Sequence, residues 1–236
     1  MPETTTSCIL NKDEYTHYAA EWKAIAETGG QGLTDAFLTP EGSRLMALAF
    51  SQECIQWLVS AVGVRQIKAR FLLRPGPKGA RFNLTLFATD ESGYQLSAYY
   101  LPEPYVTAST SEPVFDMPIP SDLAALWLAN WKSAGDITPA MFATFTTEHK
   151  SASLEGYNFD IKDFVSALFG NQSELGQNIS LGLGLHEYHS PTATSEQDLT
   201  QTFGLVLQAP AAGLGARSAG DASADVDMAA PCPPNT

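Results

Sequence analysis

The sequence predicts an α+β fold with antiparallel sheet, made of two pseudo-repeated helix–loop–helix–β-hairpin units and a disordered C-terminal tail. Three observations carry that expectation. Among only four tryptophans, Trp-Lys occurs twice, at Trp22–Lys23 and Trp131–Lys132, an offset of 109 residues (22 to 131). Each copy lies in a stretch with apolar residues at helical spacing that runs into glycine. After each comes a short capped helix, then an alternating strand, a turn-rich segment and a returning strand, which is the pattern of a hairpin.

The first unit spans residues 1–100. Asn11 with Glu14 three residues on reads as a capping box. Tyr15, Tyr18, Ala19, Trp22, Ile25 and Ala26 follow at helical spacing, and Gly29–Gly30 end the helix. Ser51 caps a second helix, "SQECIQWLVSAVG". The strand "IKARFLLR" puts Ile67, Ala69, Phe71 and Leu73 on one face, "PGPKGA" turns, and "RFNLTLFA" returns. A third strand is expected over "YQLSAYYL", with Tyr94, Leu96, Ala98 and Tyr100 on one face. Residues 101–120 contain five prolines and read as an extended connector.

The second unit spans residues 121–208. Ser121 is the expected cap of a helix through Leu123, Leu126, Trp127, Asn130 and Trp131, closed at Gly135. Phe159 falls on Phe50 at the same offset of 109, and Asp160 caps "DIKDFVSALFG". The strand "ISLGLGLH" matches "IKARFLLR" at an offset of 112 (67 to 179), and "TFGLVLQA" returns. Only five identities fall between Glu14 and Ala61 at the helical offset, so order, caps and strand phase carry the repeat rather than letters. Residues 209–236 are rich in Ala, Pro, Gly and Asp and hold too little apolar surface to offset the entropy of ordering.

Composition narrows the function. A chain of 236 residues that is 44% hydrophobic can bury a full core. No apolar run approaches the roughly 20 residues of a membrane span, and "MPETTTS" offers no secretory signal, so no membrane partner is expected. Three scattered cysteines suit a reducing cytoplasm. A net charge of −13 argues against nucleic acid.

Chemical motifs are sparse. "HEYH" (His186–His189) has its histidines three apart where the helical zinc signature needs four, and at strand spacing they point to opposite faces. Gly182 and Gly184 share one strand face and read as a place of close approach rather than a phosphate loop. Cys54 reads as a small core residue. Catalytic, cofactor and metal residues are accordingly expected to be none.

One charge feature has structure. Six of thirteen Lys and Arg residues lie between Arg65 and Arg81, and Lys68, Arg70 and Arg74 share the strand face opposite the apolar one. They form a positive ridge that extends to Lys78 and Arg81; a solvated sheet face, a protein contact, and a site for an anion or a nucleic-acid backbone are its three readings. The second half lacks it, with Ser180, Gly182 and His186 at the matching positions.

The stretch "LVSAVGVRQIKARFLL", followed after a turn by "FNLTLFATDESG", resembles a pattern in small uncharacterised bacterial proteins. That resemblance implies a bacterial cytoplasmic setting and no particular activity.

Together these features lead to the expectation of a non-enzymatic protein-interaction or self-assembling module whose partner is itself or another protein. Lys68, Arg70, Arg74, Lys78, Arg81, Tyr99 and Tyr105 are the expected contact residues, because Tyr and Arg concentrate binding energy at interfaces. The alternative is a small-molecule-binding protein or enzyme with a cleft between the units.

Overall fold

The computed structural model describes residues 8–104, 120–145, 151–169, 178–189, 199–208 and 230–232. A two-residue strand, β1 (Ile9–Leu10), leads into α1 (Lys12–Thr28). The helix opens with the reciprocal cap the sequence predicts: Glu14 N–H donates to Asn11 Oδ1 at 2.9 Å, and Asn11 N–H to Glu14 Oε2 at 3.1 Å. A one-and-a-half-turn helix, α2 (Gln31–Ala36), precedes β2 (Ala47–Phe50). Then comes α3 (Gln52–Val59), capped as expected by Ser51 Oγ on the Cys54 N–H. β3 (Gln66–Gly76) and β4 (Gly79–Thr89) form a long hairpin.

The expected third strand shortens to β5 (Tyr99–Tyr100), with an isolated bridge at Thr89–Gln95. The reason is a turn: Gly93 N–H bonds Asp90 O and Tyr94 N–H bonds the Asp90 carboxylate, which turns Tyr94 out to solvent.

The second half holds α4 (Ser121–Ser133), a 3-10 turn (Pro139–Phe142), and the short strands β6 (Ala143–Phe145) and β7 (Ser151–Ser153). β8 (Gly156–Asp160), α5 (Ile161–Phe169), β9 (Ile179–His189) and β10 (Leu199–Gln208) complete it. Ser121 is the first helical residue of α4 rather than its cap; Pro120 holds the cap position and its carbonyl takes the N–H groups of Leu123 and Ala124. Within residues 209–236, Ala230–Cys232 is placed as β11 beside β8, and the rest of that stretch lies outside the described residues, as do residues 105–119 of the connector.

Two antiparallel sheets organise the molecule. The larger runs β1-β5-β4-β3-β8-β11 and the smaller β10-β9-β2; β6 and β7 form a separate two-stranded ribbon. The short strands are exchanged between halves. β8, from the second half, pairs with β3 in the register Ile67–Phe159 and Ala69–Tyr157. β2, from the first half, pairs with β9 in the register Phe50–Ile179 and Leu48–Leu181. Shifting short strands by 109 and long strands by 112 carries one register onto the other.

Hydrogen bonds across the exchange follow the same correspondence. Trp22 Nε1 donates to Leu154 O at 3.0 Å, and Trp131 Nε1 to Leu45 O at 2.8 Å. Phe71 N–H reaches Glu155 O, and Leu183 N–H reaches Met46 O. Within each half, Leu45 N–H bonds Phe37 O and Leu154 N–H bonds Phe142 O, a likeness that departs from the 109-residue offset at the acceptor.

The main core draws on both halves. Trp22 contacts Phe142 edge-on at 5.0 Å and Phe82 at 5.1 Å, while Trp131 contacts Phe37 at 5.0 Å and Phe203 at 5.2 Å. All six rings are at most 1% exposed. Aromatic pairs in this geometry add about 0.5–1.5 kcal/mol each beyond the area they bury.

Candidate functional site

The face of β3 opposite the main core was the expected cationic surface. What decides its character is the helix beside it. The N-terminal part of α1 lays Tyr15, Tyr18 and Ala19 against Leu72, Phe87 and Tyr99, closing a second small core. Tyr15 stacks on Tyr99 with ring centroids 4.2 Å apart. Burial pushes the Tyr15 phenol up from its ordinary value, against a smaller opposing pull from the Arg70 charge, and burial alone pushes up Tyr99.

Arg70 and Tyr99 are buried on this face and Arg81 is buried at the hairpin tip, so these three do not form the open ridge that one reading of the sequence expected. The physical reason is that guanidinium carries five donors and can be satisfied by carbonyls inside a protein. Arg70 donates to Ala69 O and Tyr157 O at 3.1 Å and to Asn158 Oδ1 at 3.0 Å, tying β3 to β8. Arg81 donates to Asp35 O, Ala80 O and Lys78 O, fixing the hairpin tip to α2. Lys78 Nζ reaches Pro40 O at 2.8 Å. Lys68 is half-buried on the same face, and Tyr105 lies outside the described residues.

Arg74 differs from these. Its guanidinium lies over the Tyr18 ring, 5.7 Å from the centroid, and its Nε is buried without a hydrogen-bond partner. An unmet buried donor costs about 1–3 kcal/mol, more when charged. Arg74 lines a cavity of about 480 Å³ between the hairpin tip and the segment leaving β5. Leu48, Leu101 and several prolines make its apolar wall, with Asn83 and Glu103 as further polar groups. The residues that line it fall between Cys8 and Pro104 of the chain.

The corresponding positions of the second half carry a different pair. Trp127 stands where Tyr18 stands and His186 where Arg74 stands, with rings 4.7 Å apart. A Cβ on Gly184 would come within 3.1 Å of Trp127 Cβ, and one on Gly182 within 2.9 Å of Leu128 Cδ2, so the paired glycines let α4 lie close on β9. Burial lowers the His186 pKa. Glu187 is taken by Gln201 Nε2 at 2.8 Å, and among the described residues no group of three or more His, Cys, Asp or Glu is placed to hold a metal.

Outer helix faces were not resolved by the sequence reading. On α4, Asp122, Leu123, Ala125, Leu126, Ala129 and Lys132 are exposed, Leu126 to 52%. The matching exposed positions of α1 read Asp13, Glu14, Thr16, His17, Ala20 and Lys23. One helix thus turns a polar face outward and its counterpart an apolar one. The signal was available: Leu123 and Leu126 fall out of phase with Ala124, Trp127 and Trp131 on a helical wheel. Arg44 was also missed. It caps the C-terminal end of α4 by donating to Ala134 O at 2.8 Å and Gly135 O at 2.7 Å, and it lies over the Trp131 ring.

No family model matches the chain, and neither does any curated protein or solved structure. Among the described residues no helix is long and apolar enough to cross a membrane.

Proposed function

We propose that the chain is a duplicated α+β unit acting as a non-enzymatic, self-associating interaction module that meets a second copy through the outer face of α4. The two units are residues 1–100 and 121–208, joined by residues 101–120 and followed by residues 209–236. Duplication is supported by the reciprocal registers and by the paired Trp–Leu hydrogen bonds. Free Cys8 and Cys54 suit the reducing bacterial cytoplasm the sequence suggests.

The observation that carries the reading is the apolar stripe Leu123, Ala125, Leu126 and Ala129 on a helix whose counterpart is polar there. Exposed Asp122 stands at one end of that stripe and exposed Lys132 at the other. When two such helices pack antiparallel about a two-fold axis, Asp122 of each meets Lys132 of the other. The small Ala125 and Ala129 permit an interaxial distance near the ~8 Å lower limit of helix packing. The patch is small, so the dimer is weak and screened by salt.

Sedimentation equilibrium over a range of concentrations checks this. The expected result is a mass rising above 25.3 kDa with concentration. Leu126→Glu abolishes the rise, Asp122→Lys weakens it, and Asp122→Lys combined with Lys132→Asp restores it. A monomer at every concentration, or a dimer indifferent to Leu126→Glu, overturns the reading.

A further inference from the structure

We propose that the cavity beside Arg74 is a binding site for a small organic monoanion, a carboxylate on an apolar or aromatic body. This goes beyond the self-association reading and stands independently of it, because the cavity and the outer face of α4 share no residue.

Four observations carry it. The cavity has about 480 Å³, within the range that takes small molecules. Arg74 lines it with a guanidinium, the only cation among its described lining residues. The Tyr18 ring holds that guanidinium in place, so little side-chain freedom is left to lose on binding. Asn83 lines the same space; its Oδ1 accepts the Leu84 N–H at 2.8 Å, while its amide N–H₂ has no partner among the described residues. A carboxylate accepts from both groups, with the guanidinium as the charge-assisted donor.

The remaining walls decide the class of anion. Leu48, Leu101, Pro75 and Pro102 are apolar and suit a hydrocarbon or aromatic body. Glu103 contributes a carboxyl group to the same cavity, so the charges of its lining among the described residues, Arg74 and Glu103, balance. A dianion such as phosphate meets one cation and one anion there and is disfavoured; a monoanion spread over an apolar body is not. At the matching positions of the second half, His186 replaces the Arg74 guanidinium and Trp127 the Tyr18 ring.

The test uses the full chain and benzoate as the probe, read by the ¹H–¹⁵N resonance of Arg74 Nε, assigned by its loss in Arg74→Lys. Benzoate is expected to shift that resonance saturably, with benzyl alcohol and inorganic phosphate each weaker by about tenfold or more. Arg74→Gln removes the benzoate affinity by a similar factor, and Glu103→Gln increases it. Equal binding of benzyl alcohol, unchanged affinity in Arg74→Gln, or no shift at Arg74 overturns the proposal. Should Arg74→Gln fail to fold, the comparison of probes on the wild-type chain and the direction of the Glu103→Gln change decide it. A monomeric protein that still binds benzoate leaves this site standing while the self-association reading falls, and the converse separates them equally well.

Discussion

At the scale of single residues, the two tryptophans do the same work in opposite halves. Each donates its indole N–H to a leucine carbonyl in the other half, and each is at most 1% exposed. Trp22→Phe leaves the Leu154 carbonyl without that donor, and Trp131→Phe leaves the Leu45 carbonyl so. Each substitution is expected to cost about 1–3 kcal/mol, and the two costs should be alike in urea unfolding. Cys54 and Cys8 divide in the opposite sense. Burial pushes the Cys54 thiol up to about 12, so almost no thiolate exists at neutral pH, whereas Cys8 is exposed. Iodoacetamide at pH 8 is expected to label Cys8 in the native protein and spare Cys54, as peptide mass spectrometry would read. His186 supplies a pH dependence. Burial disfavours its imidazolium, so the unfolded chain binds the proton more readily, and stability falls as pH drops through the ordinary histidine range near 6.5. Thermal melts across that range should show this slope reduced in His186→Gln.

At the scale of elements, local chemistry was legible where it was local. The Asn11–Glu14 box and the Ser51 cap are written in neighbouring letters, and the helices begin there. Asn11→Ala should therefore cost about 1 kcal/mol in thermal or urea melts. The Gly182–Gly184 face was readable as a close approach, and α4 makes it; Gly184→Val is expected to push α4 away and lower the melting temperature far more than Gly204→Ala, where nothing lies within 4 Å. Alternation along β3 gave two faces correctly but did not say what covers the second. Lys68, Arg70 and Arg74 read as a ridge because the position of α1 over Leu72 and Phe87 is set by tertiary packing, not by any nearby residue. Nor does a string of letters show that an arginine will end on backbone carbonyls, as Arg70 and Arg81 do. The cavity at Arg74 was hidden for the same reason, being assembled from Leu48, the hairpin tip and the segment after β5.

At the scale of the whole molecule, neither half completes a sheet alone. β2 hydrogen-bonds to β9, and β8 to β3. The chain cut between residues 105 and 119 is thus expected to give two fragments that are poorly structured apart and regain the native circular dichroism spectrum when refolded together. Two independently folded fragments would contradict this. The phase of the long strands was legible in the letters, but the pairing of β2 with β9 and of β8 with β3 was not, because those partners lie far apart in the chain.

The exchanged strands also set a timetable for synthesis. Ala47 emerges from the ribosome 135 residues before its partner Gly182 (47 to 182). At about 5–20 residues per second, β2 waits on the order of 7–27 s for its hydrogen bonds. Through that interval Leu48 and Phe50 travel on a nascent polypeptide with nowhere native to go. A slowed ribosome lengthens their wait, so the yield of soluble product should respond to codon choice between β2 and β9 more sharply than to codon choice before β2.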